Sequence, residues 1–311
     1  MQKIIPHLWF DKEAVEAAEF YASVFPESKL IHKSVIHDTP SGDCDLVSFT
    51  VWNKEFMAIS AGPLFKPNPS VSFIVNFDPL FFGGSEDAAL QAINAVWTKL
   101  TQDGHALMEI GSYPFSKRYG WVRDKFGVSW QLMLTAPEGD PRPAIIPALM
   151  FTGSKYGKAE EAVGFYKTVF KNSQAGALHR YPSGITNNQE GTVMFADFKL
   201  EDTWFAAMDS GYEHGFDFNE AISFLIPCMD QAEIDRYWEQ LSAVPEAEQC
   251  GWLKDKFGLS WQISAAEIAM VFRDGTPEEQ VRVTKALLPM KKIEIALLLK
   301  AKTFNREQRN S

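Results

Sequence analysis

The sequence GWVRDKFGVSWQL, residues 120–132, occurs a second time as GWLKDKFGLSWQI, residues 251–263. Nine of these thirteen positions are identical, and the other four are conservative exchanges. Unrelated stretches of this length share far fewer residues. The chain therefore contains an internal duplication, which predicts two copies of one structural unit.

Shorter blocks repeat in the same order around this motif. Residues 4–10 pair with 145–151, and residues 72–74 pair with 223–225. Pro and Gly are concentrated between the copies, as is typical of a linker. The duplication predicts the following division of the chain: a first domain over 1–137, a linker over 138–143, a second domain over 144–268 and a C-terminal helical extension over 269–311.

Each copy shows the same order of predicted elements. An apolar strand comes first, and a helix follows with apolar residues at three- and four-residue spacing. Turn residues then separate three short strands. In the first copy these strands are predicted over 29–36, 43–52 and 55–61, followed by a strand over 71–77 and a helix over 86–100. The pattern predicts an α+β fold in which a β-α-β-β-β module is used twice per copy.

The composition limits the classes of partner. The chain has 311 residues, 46% of them apolar, and a formal net charge of −10. This apolar content excludes disorder for most of the chain. Lys and Arg do not cluster, so we expect no nucleic-acid partner. The acidity also argues against anionic membrane surfaces and is compatible with neutral or cationic small ligands.

Targeting signals are missing from the sequence pattern. The longest apolar runs, such as residues 295–299, are too short to span a membrane. The N-terminus lacks the basic and apolar regions of a signal peptide. Cys44, Cys228 and Cys250 have neither metal-type nor redox spacing and are expected to be small buried side chains. We therefore expect a cytoplasmic protein without a membrane segment.

The C-terminal extension has its own helix signals. Thr276 is a predicted N-cap, with Pro277 at the first helical position and Glu279 completing a capping box. This helix should reach about Leu288, and a second apolar and basic piece should continue to Lys302. We expect the extension to dock on the second domain or across a dimer. A homodimer is left open.

Several of these residues carry a family resemblance. The opening segment 6–11, the helix around 19–26 and the two copies of the Gly-Trp motif resemble the PhnB-like branch of the glyoxalase/bleomycin resistance/dioxygenase (vicinal oxygen chelate) superfamily. Members of this branch often carry the label 3-demethylubiquinone 3-methyltransferase-like. The resemblance implies tandem glyoxalase-like domains, each built of two modules that form an open, barrel-like cleft.

The resemblance also implies where a metal would bind. Metal-using members of the superfamily place one ligand, typically His, Gln or Glu, on each of four strands. The corresponding positions hold His7, Ala58, Ser72 and Gln131 in the first copy and Ala148, Ala207, Ser223 and Gln262 in the second. Alanine cannot coordinate a metal, and a divalent ion normally requires three good ligands. We therefore predict no metal and no other cofactor.

The methyltransferase label implies a cofactor site that the sequence does not support. A common S-adenosylmethionine site needs a glycine-rich turn between a strand and a helix in a parallel sheet. The sequence contains no G-x-G-x-x-G run.

Nine residues are candidates for ligand binding. His7 and Trp9 share one face of the opening strand, where the second copy has Ala148 and Met150. Gln131 and Gln262 stand where metal-using relatives carry Glu, and an amide can both donate and accept hydrogen bonds. Aromatic and charged residues crowd the loop 112–119, and a polar turn covers 209–214. The candidates are His7, Trp9, Tyr113, Phe115, Arg118, Gln131, Met150, His214 and Gln262.

These observations favour a small-molecule-binding protein, without a metal, that holds its ligand in an aromatic-lined cleft. It would resemble the drug-sequestering bleomycin-resistance branch. The alternatives are a metal-dependent lyase, isomerase or dioxygenase of the same superfamily, or a methyltransferase as the label implies. A third hypothesis is that the protein is a platform that binds a protein partner. The sequence does not decide whether the protein is an enzyme.

Overall fold

The computed structural model describes residues 2–136, 138 and 141–303. The predicted end of the first domain at 137, residues 139–140 of the predicted linker and residues 304–311 of the predicted extension lie outside the described residues. The fold is α+β, as predicted.

The first copy contains two complete modules. Its elements are β1 Ile5–Phe10, α1 Ala14–Val24, β2 Lys29–Thr39, β3 Gly42–Val51, β4 Lys54–Ser60, β5 Val71–Phe77, α2 Glu86–Thr101, β6 His105–Tyr113, β7 Ser116–Arg123 and β8 Ser129–Leu134.

The second copy repeats this order with one strand fewer. Its elements are β9 Ile145–Phe151, α3 Ala159–Val169, β10 Ser173–Arg180, β11 Val193–Leu200, β12 Thr203–Asp209, β13 Ile222–Cys228, α4 Gln231–Leu241, β14 Trp252–Lys254 and β15 Ser260–Ala265. A 3₁₀ turn at Pro245–Ala247 occupies the place of the strand that corresponds to β6.

The four modules combine across the two copies. Sheet A has the strand order β14-β15-β13-β1-β4-β3-β2, so it joins the first module of the first copy to the second module of the second copy. Sheet B has the order β10-β11-β12-β9-β5-β8-β7-β6 and joins the other two modules. Each sheet therefore contains strands from both sequence repeats.

Two antiparallel strand pairs make these connections. β1 pairs with β13, with His7 opposite Ser223. β5 pairs with β9, with Ser72 opposite Ala148. The two junctions place equivalent residues of the repeats in equivalent positions, so the two sheets are related by approximate symmetry.

The hydrophobic core lies between the two sheets. One face of sheet A contacts sheet B through Phe56 and Phe73, whose rings are 5.0 Å apart. Phe25, which follows α1, packs on Trp130 of β8 at 4.7 Å. These contacts join the two modules of one copy, which belong to different sheets. We call the faces that meet here the core faces.

A buried carboxylate fixes this packing in each copy. Asp124 accepts hydrogen bonds from the Tyr21 hydroxyl and the Trp130 indole, both at 2.8 Å, and from the backbone N–H groups of Phe126 and Val128. Burial raises the pKa of Asp124 to about 6, although the four donors favour the charged form. The carboxylate thereby ties α1, which packs on sheet A, to β8 of sheet B.

The second copy contains the same arrangement. Asp255 accepts hydrogen bonds from the Tyr166 hydroxyl at 2.8 Å and the Trp261 indole at 2.9 Å. The backbone N–H groups of Phe257 and Leu259 complete the set of donors. This explains why the Asp-Lys-Phe-Gly segment is preserved in both copies. Each Asp side chain therefore shapes the turn before the last strand of its copy and also joins the helix tyrosine to the strand tryptophan.

The C-terminal extension forms three helices, α5 Ala266–Asp274, α6 Pro277–Leu287 and α7 Ile295–Thr303. The predicted capping box at Thr276 and Glu279 is present. α5 contacts both β15 and β2, and α6 contacts β2 and α7. Because β2 is one edge of sheet A and β15 lies next to the other, the extension bridges this sheet. Across the described residues, no helix is long and apolar enough to cross a membrane.

The buried carboxylate generates a stability prediction. In Asp124→Asn, an amide N–H₂ replaces an acceptor that faces the Trp130 indole, so a buried donor loses its partner. We expect a loss of about 2–4 kcal/mol in the free energy of unfolding, measured by urea denaturation at pH 7. Asp87→Asn, at an exposed position on α2, is the matched control and should change stability by less than about 0.5 kcal/mol. Equal effects of the two substitutions would contradict the assigned role.

Candidate functional site

The middle strands of sheet B, β5 and β9, are buried on both faces. On the face opposite the core, Ile74, Ile146, Ala148 and Ala206 form a separate buried apolar cluster. Met133, Phe195, Trp204 and Met208 pack around them and remain partly exposed. α2 and α3, the helices that pack on this sheet, bury their apolar side chains in the core instead. We call this second apolar face, defined by those eight residues, cleft B.

A chain of hydrogen bonds crosses cleft B. The Tyr119 hydroxyl donates to Gln131 Oε1 at 2.8 Å, and Gln131 Nε2 donates to Ser72 Oγ at 2.8 Å. Burial raises the pKa of Tyr119, so the phenol keeps its proton and remains the donor. With both amide groups of Gln131 oriented in this way, the Ser72 hydroxyl hydrogen remains at the end of the chain for a further acceptor.

An ion pair borders the same cleft. Arg142 donates to Asp197 Oδ2 at 2.7 Å, and its guanidinium lies 3.8 Å from the ring centroid of Trp204. Asp197 also accepts a hydrogen bond from the backbone N–H of Ala177. The charges of Arg142 and Asp197 compensate each other, so this border adds no net charge to the cleft.

The second face of sheet A forms an equivalent region, which we call cleft A. It contains His7, Ser223 and Gln262, all buried, together with Trp9 and Trp252. Gln262 Nε2 donates to Ser223 Oγ at 2.9 Å, as Gln131 does to Ser72. Cys250 occupies the sequence position that corresponds to Tyr119, so the chain of hydrogen bonds is shorter here.

In cleft A, His7 is the polar side chain whose burial is least compensated by hydrogen bonds. It is 2% exposed, and its Nδ1 has no hydrogen-bond partner among the described residues. Burial lowers the pKa of His7 to about 3, because the charged ring would lose its hydration without gaining a counter-charge. The ring is therefore neutral at physiological pH, with one nitrogen as donor and the other as acceptor.

The strand register corrects which residues stand at the positions that hold metal ligands in metal-using members of the superfamily. His7 is opposite Met57, and Ala148 is opposite Ala206. Ala58 and Ala207 belong to the core cluster on the other face. The sequence alignment was therefore wrong by one residue on both β4 and β12, and side chains one residue apart point to opposite faces.

The corrected positions do not fit a divalent metal. Cleft A offers His7, Met57, Ser223 and Gln262, and cleft B offers Ala148, Ala206, Ser72 and Gln131. A stable site normally combines three or more His, Cys or carboxylate ligands. The described part of the chain contains no group of three His, Cys, Asp or Glu side chains that could hold a metal ion.

The predicted site residues separate into two clefts that do not follow the two copies. His7 and Trp9 of the first copy lie with Gln262 of the second copy in cleft A. Gln131 of the first copy lies in sheet B with Met150 of the second copy. The expectation that each copy forms its own cleft is therefore wrong, because the strands pair across the copies.

Tyr113 and Phe115 adjoin the polar chain of cleft B. Their rings stack at 5.7 Å, and both contact the ring of Tyr119, at 5.5 and 4.9 Å. Phe115 is 62% exposed. The predicted aromatic loop is therefore the tip of the β6–β7 hairpin.

Arg118 and His214 do not join either group. The Arg118 guanidinium donates to Asn94 Oδ1 on α2, which packs on the core face. His214 is hydrogen-bonded to Ser210 at 2.7 Å and stacks on Phe216 in a separate surface groove.

Sequence reasoning missed Trp204, Arg142 and Trp252 as cleft residues. It included Tyr119 only as part of the loop 112–119 and not as a candidate of its own. Tyr119 and Trp252 lie in or next to the repeated Gly-Trp motif and could have been assigned from their alternation with core residues. Trp204 and Arg142 belong to no sequence motif. Their contact depends on the path that the linker takes along sheet B.

The model of the 3-demethylubiquinone-9 3-methyltransferase family matches residues 2–133 and again residues 143–264. The chain belongs to this family. A PhnB protein from Bacillus cereus is similar to one part of the chain: it is 37% identical over 43% of this chain and all of its own, with a TM-score of 0.37. A search of curated proteins found no match.

Glyoxalase I from Zea mays has a similar fold over most of the chain. It is 13% identical and covers 86% of this chain and 95% of its own length, with a TM-score of 0.52. At this identity the likeness concerns the fold alone. The family match confirms the predicted PhnB-like, 3-demethylubiquinone methyltransferase-like family and the tandem duplication, and the likeness to glyoxalase I confirms the predicted glyoxalase-like fold.

The buried His7 generates a pH prediction. In the unfolded chain the His7 ring takes up a proton near pH 6.5, and in the folded chain it does so only near pH 3. His7 therefore reduces the stability of the folded protein as the pH falls through this range. His7→Phe removes this effect. The free energy of unfolding of the variant minus that of the wild type should increase as the pH falls from 7 to 5, by at most about 1.4 kcal/mol per pH unit. Urea unfolding at each pH measures this difference.

The wild type and His7→Phe must be compared at each pH, because other groups titrate in the same pH range. Burial raises the pKa of both Asp124 and Asp255 to about 6, which has the opposite effect on stability. Both proteins share these carboxyl groups, so their contribution cancels in the difference. A difference that stays constant from pH 7 to pH 5 would contradict the neutral state of His7.

Proposed function

We propose that this protein binds a small, uncharged molecule with an apolar or aromatic body in cleft B, without a metal ion. The observation that carries the proposal is the combination of a partly exposed apolar surface with one oriented polar chain. This combination is typical of small-molecule sites, in which a few polar groups orient a ligand held by apolar contacts.

The apolar part of cleft B supports an aromatic ligand. Ala148 and Ala206 are small and buried at the middle of the sheet, and Phe195, Trp204, Met133 and Met208 pack around them. Methionine side chains adapt to ligands of different shape and make favourable contacts with aromatic rings. Trp204 is partly exposed, and Arg142 covers one side of its ring.

The polar part supports a ligand that carries a hydrogen-bond acceptor. Ser72 accepts from Gln131 and retains its own hydrogen for a carbonyl or hydroxyl oxygen. The Arg142–Asp197 pair is internally compensated, so neither an anion nor a cation is favoured by it. An uncharged ligand therefore suits the site best.

The donor set favours binding over metal-assisted catalysis. Neither cleft provides three metal-ligating side chains, so a lyase, isomerase or dioxygenase mechanism of the metal-using relatives finds no support here. A role in sequestering or carrying a molecule requires only the cleft. A cytoplasmic location remains a prediction from the sequence, and the sequence left a homodimer open.

A fluorescent probe tests the location of the site. N-phenyl-1-naphthylamine, which is apolar and uncharged, should bind with increased fluorescence. Met208→Gln should weaken this binding about tenfold, because an amide replaces an apolar contact. Ile59→Gln is the matched control, since Ile59 has the corresponding position in sheet A. Equal weakening by both variants, or none by Met208→Gln, would sink the assignment to cleft B.

Metal titration tests the second half of the proposal. Calorimetry with Zn²⁺, Ni²⁺, Mn²⁺ and Fe²⁺ on protein purified without affinity metal should give no stoichiometric binding. EDTA should leave the affinity for the naphthylamine probe unchanged. Tight binding of one metal ion per chain that disappears in His7→Ala would overturn the metal-free proposal and make a metal-dependent enzyme the leading alternative.

A further inference from the structure

Equivalent tryptophans of the two copies have different contacts. Trp121 of β7 lies opposite Gln131, and its indole N–H donates to Ser129 Oγ at 3.0 Å. Trp252 of β14 lies opposite Gln262 in the same register. No hydrogen bond joins Trp252 to Ser260, the counterpart of Ser129, and Ser260 Oγ is buried without a partner among the described residues.

The indole of Trp252 instead reaches across sheet A. Its ring centroid is 5.6 Å from His7 and 6.0 Å from Trp9, both on β1. β14 and β1 are separated by β15 and β13, which corresponds to about 14 Å between backbones in a flat sheet. Trp252 therefore lies across the strands that carry Ser223 and Gln262 and closes cleft A.

The closed arrangement leaves polar groups without partners. His7 Nδ1 and Ser260 Oγ are both buried and unpaired within the described part of the chain. A buried polar group without a hydrogen bond costs about 1–3 kcal/mol. A rotation of Trp252 to the position that Trp121 has would give Ser260 a donor and would uncover the side of His7 that faces the cleft.

The C-terminal extension holds the backbone that presents Trp252. The backbone N–H groups of Cys250 and Gly251 donate to the carbonyl groups of Met290 and Lys291, both at 2.7 Å. Gly251 has φ +87°, and a Cβ there would lie 2.6 Å from the carbonyl oxygen of Ile263. This turn directly precedes Trp252 and has no equivalent at Gly120, which lies in the regular strand β7.

We propose that Trp252 is a gate over a second binding site in cleft A, which opens when its indole moves onto Ser260 and admits an uncharged aromatic molecule. The vacated space has the size of an indole and lies between His7 and Trp9. The incoming ring replaces the contacts that Trp252 makes with these two side chains, and its hydroxyl group bonds the unpaired nitrogen of His7.

The surroundings of the gate favour an uncharged occupant. Around Trp252 this face presents His7, Trp9, Ser223 and Gln262, and burial keeps the His7 ring neutral. Lys254, which lies opposite Ser260, is paired with Glu220 at 2.9 Å. An ion would lose its hydration there without an opposite charge. Phenol satisfies these requirements, because it combines a small ring with one hydroxyl group.

Fluorine NMR on protein labelled with 5-fluorotryptophan tests the gate directly. The chain has nine tryptophans, and Trp252→Phe identifies the resonance of Trp252 by its disappearance. Titration with phenol should shift the Trp252 resonance to saturation in the wild-type protein. His7→Phe should raise the phenol concentration needed about tenfold, since it removes the hydrogen bond to the ligand. His7→Leu replaces it if His7→Phe does not fold.

Matched serine variants distinguish the gate from binding elsewhere. Ser260→Ala removes the acceptor for the open indole and should weaken the phenol-dependent shift several-fold. Ser129→Ala, at the equivalent position of sheet B, should leave the shift of Trp252 unchanged. A Trp252 resonance that does not move with phenol, or a shift that is the same in His7→Phe, His7→Leu and Ser260→Ala, would overturn the proposal. The resonances of Trp121 and Trp204 report on cleft B separately.

Discussion

The structure depends on two antiparallel strand pairs, β1 with β13 and β5 with β9. Through these pairs, each sheet combines one module of the first copy with one module of the second. The two modules within one copy meet through their core faces, where Asp124 or Asp255 joins a helix tyrosine to a strand tryptophan. Edge pairing between copies and core packing within a copy therefore hold the four modules together.

This arrangement produces two clefts, which have since diverged. Cleft B retains a polar chain from Tyr119 through Gln131 to Ser72 and keeps apolar side chains partly exposed. In cleft A, Cys250 replaces Tyr119, and Trp252 covers the polar residues. The different placement of Trp252 accompanies a local change in the backbone, because the extension bonds the turn before Trp252 and the first copy has no such segment.

Much of the fold could be predicted from the sequence. The repeat gave the module order, and the strands and helices of the first copy lie within a few residues of their predicted bounds. The site was harder to predict. His7 and Gln262 are 255 positions apart and come from different copies, and only strand pairing shows that they share a cleft. The positions of Ala58 and Ala207 were wrong because alternation reverses the face with each residue.

The sequence by itself determined the duplication, the module and the family, because these rest on residue identity and periodicity along the chain. It did not determine which residues stand at the metal-ligand positions, since the strand register places Met57 and not Ala58 beside His7. Only the tertiary structure decided which modules share a sheet, which cleft is covered and where Trp252 points. These properties depend on contacts between residues far apart in the chain, and on a choice between side-chain orientations that the similar local sequences of the two copies both permit.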